Sequence, residues 1–267
     1  MVQFEEVTSS LGDGDRHAAR DTIKLSFTHA AGGAGYQLCA TFQMRWAVSD
    51  TFVPSDRTRV VREPHRGVYE RQAIYKVLDE GLVCHVGFSF EGQTFVIPTL
   101  YARVGDVVYF HGSAASRMLR TAGAGASVCV TVTLVDGLVL ARSVFNHSMN
   151  YRSVVALGTA TVVADPEEKR DALRSFTEKI LHGRWEEARQ PNEQELKATS
   201  ILKLPLTEIS GKIRSGPPLD DDPDYQLRVW AGVIPFRMVA DSPVPDSRCD
   251  PSLPVPTCAA HYTRPSC

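Results

Sequence analysis

From Leu82 to Leu140 the chain alternates short β-prone runs with glycine-bearing turns, and that rhythm restricts its possible folds more than any other feature. LVCHVGFSF runs to the turn EGQ, TFVIPTLYARV runs to GD, and VVYFHG follows, with β-branched and aromatic residues dominant in each. The stretch SVCVTVTLVDGLVLARSVF predicts a hairpin about Asp136-Gly137. SVVALGTATVVA, ILKLPLTEISGKIR and YQLRVWAGVIPFRMVA supply later strands. Pro98 cannot donate to a ladder, so its strand lies at an edge, a bulge or a rim.

Helical signals are inserted among these runs. GVYERQAIYKVLDEG places Val68, Ile74, Tyr75, Val77 and Leu78 near one helical face and stops at Gly81 as a C-cap. SAASRMLRTAGAGA predicts a short helix capped by Ser113 or Ser116. DPEEKRDALRSFTEKILHG has Asp165 as N-cap, Pro166 at the first helical position, early acids and Gly183 past its end. NEQELKATS gives one more short helix. Because strands and helices do not alternate, the expected fold is mainly β, an antiparallel barrel with peripheral helices, and not a doubly wound nucleotide-binding sheet.

The chain's 267 residues suffice for one large domain or two small ones, and 43% hydrophobic residues allow a sizeable core. A formal net charge of −2 gives no electrostatic reason to expect nucleic acid or an anionic membrane as a partner. No apolar run nears the roughly 18 residues that span a bilayer, and MVQFEEVTSSLGDGDRHAARD lacks a basic-then-apolar leader, so a soluble cytoplasmic protein is expected. Residues 1–56 show no sustained period and read as an extension. Residues 57–240 carry the patterned domain, and 241–267 form a tail containing Pro, Ser and Cys. Cys84 and Cys129 fall in apolar runs and read as buried thiols. Cys249, Cys258 and Cys267 match no zinc spacing, so no metal site is expected.

GGAG at 32–35 and the TAGAGA run at 121–126 fit neither a dinucleotide nor a Walker-type loop and read as flexible connections. Asn146-His147-Ser148 has the form of a glycosylation sequon, which means little without a leader. DDDPD at 220–224 reads as an exposed acidic loop. Two segments carry more chemistry. HGSAASRMLR, His111 to Arg120, is either a capped surface helix with ordinary arginines or a phosphate site built from Ser113, Ser116 and Arg117. FNHSMNYRSV, Phe145 to Val154, is either a polar turn between strands or a set of directed hydrogen-bonding groups.

The strings RTRVVREPHRGVYERQAIYKVLDEGLVCHVGF, FVIPTLYARVGDVVYFHGSAASRMLR and GLVLARSVFNHSMNYRSVVALG resemble the pyridoxamine-phosphate-oxidase superfamily, in particular its nitroimidazole-resistance-like, flavin-nucleotide-binding branch. The likeness continues through GRWEEARQPNEQELKATSILKLPLTEISGKIRSGPPLDDDPDY and VWAGVIPFRM, and so covers residues 57–239. It implies a six-stranded antiparallel split β-barrel that works as a homodimer with FMN at the subunit interface. By the same resemblance, Ile97, Pro98 and Thr99 run along the isoalloxazine, and Ser116 and Arg117 clamp the phosphate with His111 and Ser113 nearby. Tyr151, Arg152 and Ser153 approach the flavin from the second subunit, Trp230 lines the pocket, and His147 faces substrate as a proton donor. The residues that would grip a second phosphate are not found, so the vitamin B6 reaction is not expected. The expected activity is reduction of a small planar acceptor, a nitroaromatic or quinone, with NAD(P)H as donor. Alternatives are a flavin carrier or sensor without turnover, and a haem-binding split barrel using His85, His111 or His147.

Overall fold

The computed structural model describes residues 49–263 together with the backbone of two earlier strands, β1 (Thr22–Phe27) and β2 (Leu38–Gln43). These two pair antiparallel within a unit that ends at Ser49. The other residues before Ser49 lie outside the described residues. The second compact unit begins at Asp50, and Phe52 is already buried in its core.

That unit opens with β3 (Gly67–Val68), α1 (Arg71–Glu80), β4 (Val83–Phe90), β5 (Gln93–Val104), β6 (Val107–Ser113), α2 (Arg117–Gly123) and β7 (Ser127–Leu140). It continues with β8 (Ser148–Thr159), β9 (Thr161–Val162), α3 (Pro166–Ile180), α4 (Arg184–Glu187), α5 (Glu193–Ala198), β10 (Thr199–Pro205), β11 (Glu208–Arg214), β12 (Gly232–Pro235) and α6 (Thr257–Ala260). Every strand pairing is antiparallel. The order is β3-β11-β8-β7-β4-β5-β6-β10-β9, with β12 added to β7. The mainly β class stands, but the expected six strands are corrected to a ten-stranded sheet whose path does not close. The two-residue strands β3 and β9 and the short β12 carry too little periodicity to be read from sequence. Among the described residues, no helix is long and apolar enough to cross a membrane.

The alternation of the strands decides where the core sits. Val86 and Phe88 of β4, Val130 and Val132 of β7, and Val154 and Ala156 of β8 face one side, where Ile74, Val77 and Leu78 of α1 meet them. A smaller cluster of Ala102, Ile201, Ala172 and Phe176 lies under α3. Cys84 is fully buried, and burial pushes its thiol up to about 12, whereas Cys129 is half-buried on the opposite face. The helix α1 stops at Gly81, as read from sequence, but for a different reason. Its φ of −68° suits any residue; a Cβ there would lie 2.5 Å from Val132 Cγ1 and 2.8 Å from Tyr101 Oη.

The predicted hairpin at Asp136-Gly137 is absent. β7 runs through it as one 14-residue strand with a register shift between Val135 and Gly137. Asp136 is held by Arg152 in place of serving as a turn residue. Gly137 lets β12 approach, since a Cβ there would meet Ile234 O at 2.6 Å and Pro235 Cα at 3.1 Å. Gly137→Ala is therefore expected to dislodge β12 while sparing the barrel. Amide exchange should accelerate in Gly232–Pro235 and stay slow in β4; equal protection at both would contradict the contact.

Lys179 of α3 ties that helix to the end of α1, donating to Leu78 O (2.7 Å) and Asp79 O (3.3 Å) above the Tyr101 ring. Desolvation brings its amine down to about 8. Between pH 8 and 10.5 the unfolded chain then binds more protons than the folded one at this site, so its contribution to stability rises with pH across that window. The stability of wild type relative to Lys179→Met should accordingly increase from pH 8 to 10, as read by urea midpoints. A pH-independent difference would remove the buried-amine reading.

Candidate functional site

The sheet divides where β5 changes partners. Its first half pairs with β4 as far as Leu100, and its last four residues pair with β6, Tyr101 opposite Phe110. β6 pairs with β10 along its whole length, and beyond Phe110 it has β10 alone as a neighbour among the described residues, with His111 opposite Ile201 and Ser113 opposite Thr199. A fork results. One arm carries Ile97, Pro98 and Thr99; the other carries His111 and Ser113 and leads into Ser116 and Arg117. Pro98 is tolerated because this half of β5 lacks a neighbour on its other side.

On the second arm, Ser116 occupies the N-cap position of α2, but its side chain makes no cap bond. Its N–H donates to Ser113 O at 2.8 Å, while Ser113 Oγ accepts from the Ala115 N–H at 3.2 Å. Arg117 is exposed. Its guanidinium lies 5.0 Å from the Phe95 ring and 5.5 Å from that of Phe90, and Phe95 in turn stacks on Phe88. It has no carboxylate partner among the described residues. A guanidinium oriented by aromatic rings and free of an acid can bind an oxyanion with two parallel hydrogen bonds. His111 packs its ring 4.3 Å from that of Phe176, and burial lowers its pKa, favouring the neutral imidazole.

The remaining residues expected at the site stand elsewhere in the sheet. Tyr151, Arg152 and Ser153 lie on β8, with β7 and β4 between them and β5. Arg152 is fully engaged. Its guanidinium donates to Asp136 at 2.7 and 2.9 Å and to Glu80 at 2.5 and 3.0 Å, and these carboxylates raise its pKa. Ser153 Oγ donates to Lys212 O at 3.2 Å. His147 ends a short 3₁₀ turn, Val144–Asn146, with Nδ1 3.0 Å from Ser143 O and its ring exposed. Trp230 is 67% exposed and folds over Gly232. Within one chain, these residues do not converge on the fork.

The polar run beginning at Phe145 is only partly a loop, because Ser148 onward already belongs to β8. Beside it, Val144 and Phe145 are 85% and 92% exposed. What fixes this connection was not visible in the sequence. Asp220, expected in an exposed acidic loop, is fully buried at its side chain; it accepts from the N–H groups of Arg142 (2.9 Å) and Ser143 (3.1 Å) and from Arg142 Nη1. The run of acids concealed the one that points inward.

Two other histidines place Nδ1 beside an oxygen, one in an ion-pair contact and one in a hydrogen bond. His182, just past α3, places Nδ1 2.9 Å from Glu178, whose carboxylate also accepts from the N–H groups of Gly183 (2.8 Å) and Trp185 (3.1 Å). The Gly183 amide is the main cause of Glu178's lowered pKa. The His182 side chain is 97% exposed, so its Nε2 edge faces outward. His261 rests Nδ1 on Thr257 O at 3.1 Å. Among the described residues, no group of three or more His, Cys, Asp or Glu could hold a metal ion between them.

Residues 70–213, more than half of the chain, match the family model described as pyridoxamine 5'-phosphate oxidase. The chain is similar to flavocytochrome Anf3 from Azotobacter vinelandii, with 40% identity over 79% of this chain and 99% of that one and a TM-score of 0.76. It is also similar to the FAD and heme binding protein from Mycobacterium smegmatis, with 34% identity over 72% and 94% of the two chains and a TM-score of 0.70. A third similar structure, described as a putative 5-nitroimidazole antibiotic resistance protein from Bacteroides thetaiotaomicron, shares 23% identity over 55% and 86%, with a TM-score of 0.46. No functionally curated protein matches. The family match and the first two relatives agree with the forked antiparallel sheet, and the chain belongs to the pyridoxamine 5'-phosphate oxidase family.

Proposed function

We propose that the protein is a flavin-dependent oxidoreductase that carries haem as a second redox group and works as a homodimer. The observation carrying this reading is that two relatives, 40% and 34% identical over most of the chain, are described as a flavocytochrome and as an FAD and heme binding protein. The flavin is read as FAD, from the second of these descriptions. FMN, implied by the resemblance, shares the ring and the first phosphate and would use the same arms. When bound, flavin supplies two-electron and one-electron transfer and haem supplies one-electron transfer.

The residues fit both groups. The phosphate falls to Arg117, which has no carboxylate partner among the described residues, with the hydroxyls of Ser113 and Ser116. The ring falls along Ile97, Pro98 and Thr99. Tyr151, Trp230 and His147 lie away from that fork in their own chain, so a second copy would have to bring them, and the exposed Val144 and Phe145 beside His147 suit such an interface. Arg152 has no free donor edge and serves to hold β7 and α1. His147, its ring set by Ser143 O, supplies a proton to reduced acceptor; NAD(P)H is the donor, and a nitroaromatic or quinone is the acceptor.

For haem, an axial imidazole needs one nitrogen free and the other fixed by a hydrogen bond. His147 and His261 meet that requirement through backbone carbonyls, and His182 instead sets Nδ1 in ion-pair contact with the Glu178 carboxylate at 2.9 Å. His85 and His111, expected from sequence, have no such fixing bond.

A visible spectrum of the purified protein tests the proposal. Bands near about 370 and 450 nm with a sharp band near about 400 nm are expected, with FAD identified by mass after release. His182→Ala should remove the sharp band and keep the flavin bands. A protein that is colourless and takes up neither flavin nor hemin would end the reading. Spectra as expected without NAD(P)H oxidation would leave a carrier.

A further inference from the structure

Between α3, α4 and α5 and the outer face of β5 and β6 lies a half-open cavity of about 320 Å³. Its walls are apolar and partly aromatic: Leu100, Leu173, Phe176, Ile180, Trp185 and Pro191. Most polar groups along it are already spent on one another. Thr177 Oγ1 donates to Leu173 O at 3.1 Å, Gln190 Nε2 donates to Trp185 O at 2.7 Å, and Arg189 pairs with both oxygens of Glu195 at 2.6 and 3.0 Å.

His111 is the exception. Its Nδ1 is sealed from solvent and has no partner among the described residues, and its Nε2 has no hydrogen-bond partner among them either. A sealed N–H without an acceptor is among the costlier defects in a folded protein. The sealed Nδ1 is therefore the bare lone pair, and the proton sits on Nε2 as a donor.

We propose that this cavity binds a neutral planar aromatic molecule of one or two rings, bearing a carbonyl or nitro oxygen that accepts a hydrogen bond from Nε2–H of His111. Size sets the upper limit: the cavity lies at the small end of the roughly 300–1,000 Å³ typical of ligand sites, too small for a dinucleotide. Charge sets the other limit. The cation at the mouth is neutralised by Glu195, so an anion entering would lose its hydration without a partner. Leu100 and His111 are also the residues at which β5 and β6 part, so a bound ring abuts the root of the fork. The inference stands on the cavity and does not require the flavin reading.

Three probes of one shape separate the contributions: 2-acetylnaphthalene, 2-ethylnaphthalene and 2-naphthoate, titrated calorimetrically into the full-length protein as purified. The ketone is expected to bind about tenfold more tightly than the hydrocarbon, the effect of one desolvated hydrogen bond. The carboxylate should bind more weakly than either. His111→Phe should abolish the ketone's advantage. Ala188→Trp, in the cavity lining just past α4, should block all three without touching the sheet, which keeps the test valid if the His111 variant fails to fold. Carboxylate binding equal to that of the ketone, ketone binding unaffected by Ala188→Trp, or no binding of any probe would overturn the proposal.

Discussion

Replacing Arg152 by Ala is expected to destabilise the protein by about 3 kcal/mol, the lower end of what unpairing a buried ion cluster costs. Glu80 keeps 12% of its side-chain surface exposed and Asp136 35%, so the second carboxylate recovers some hydration and the full penalty does not fall on both. The loss should appear as a lower urea midpoint at pH 7. Arg152→Ala combined with Glu80→Gln should recover part of it, because the neutral amide no longer needs a counter-ion. If the single variant melts like wild type, the guanidinium is not what joins α1 to β7. The resemblance led to a flavin role for this residue, and its two carboxylates supply a sufficient structural one.

Arg117→Ala is expected to behave in the opposite manner: normal stability and weak flavin binding. The side chain is exposed and has no carboxylate partner among the described residues, so its removal leaves no buried charge. The loss of charge-assisted bonds to one phosphate corresponds to a roughly 10–100-fold rise in the flavin Kd, read by quenching of flavin fluorescence. Arg117→Lys, keeping the charge without the fork, should fall between. A wild-type Kd for Arg117→Ala would move the phosphate away from α2.

Much of this could be read from residue order, and the failures have particular causes. β4, β5 and β6 follow their alternation and turn residues closely, and α3 begins where Asp165 indicated, but it ends at Ile180 and Gly183 is the N-cap of α4 in place of the C′ residue of α3. Glycine was the weaker guide. Gly81 is required by Val132 and Tyr101, and Gly137 by the backbone of β12, contacts that no local window contains. At the site, the fork residues lie on two arms that part from one strand pair, so sequence proximity and spatial proximity agreed. Glu80, Asp136 and Asp220 were missed because an acid looks alike in sequence whether it faces water or a buried arginine. Nothing in LHGRWEE announced that Glu178 would stand 2.9 Å from His182.

The shifted register in β7 has a further consequence, seen by counting residues along the strand. From Val128 to Leu134 the even-numbered side chains are buried; after Asp136 the buried positions are Gly137 and Val139, which are odd. One supernumerary residue has reversed the phase of the strand, while β8 opposite keeps even positions inward at Asn150, Val154 and Ala156. A single chain segment is thus written in two frames, one for the barrel and one for the strap that carries Trp230. Deleting Asp136 would restore an uninterrupted alternation with Gly137 and Val139 still inward, and would remove one of the two carboxylates that hold Arg152. Asp136 is therefore the one residue of β7 whose loss leaves both frames facing as they do now, whereas removing a residue on either side of it would turn the stretch between the two irregularities over.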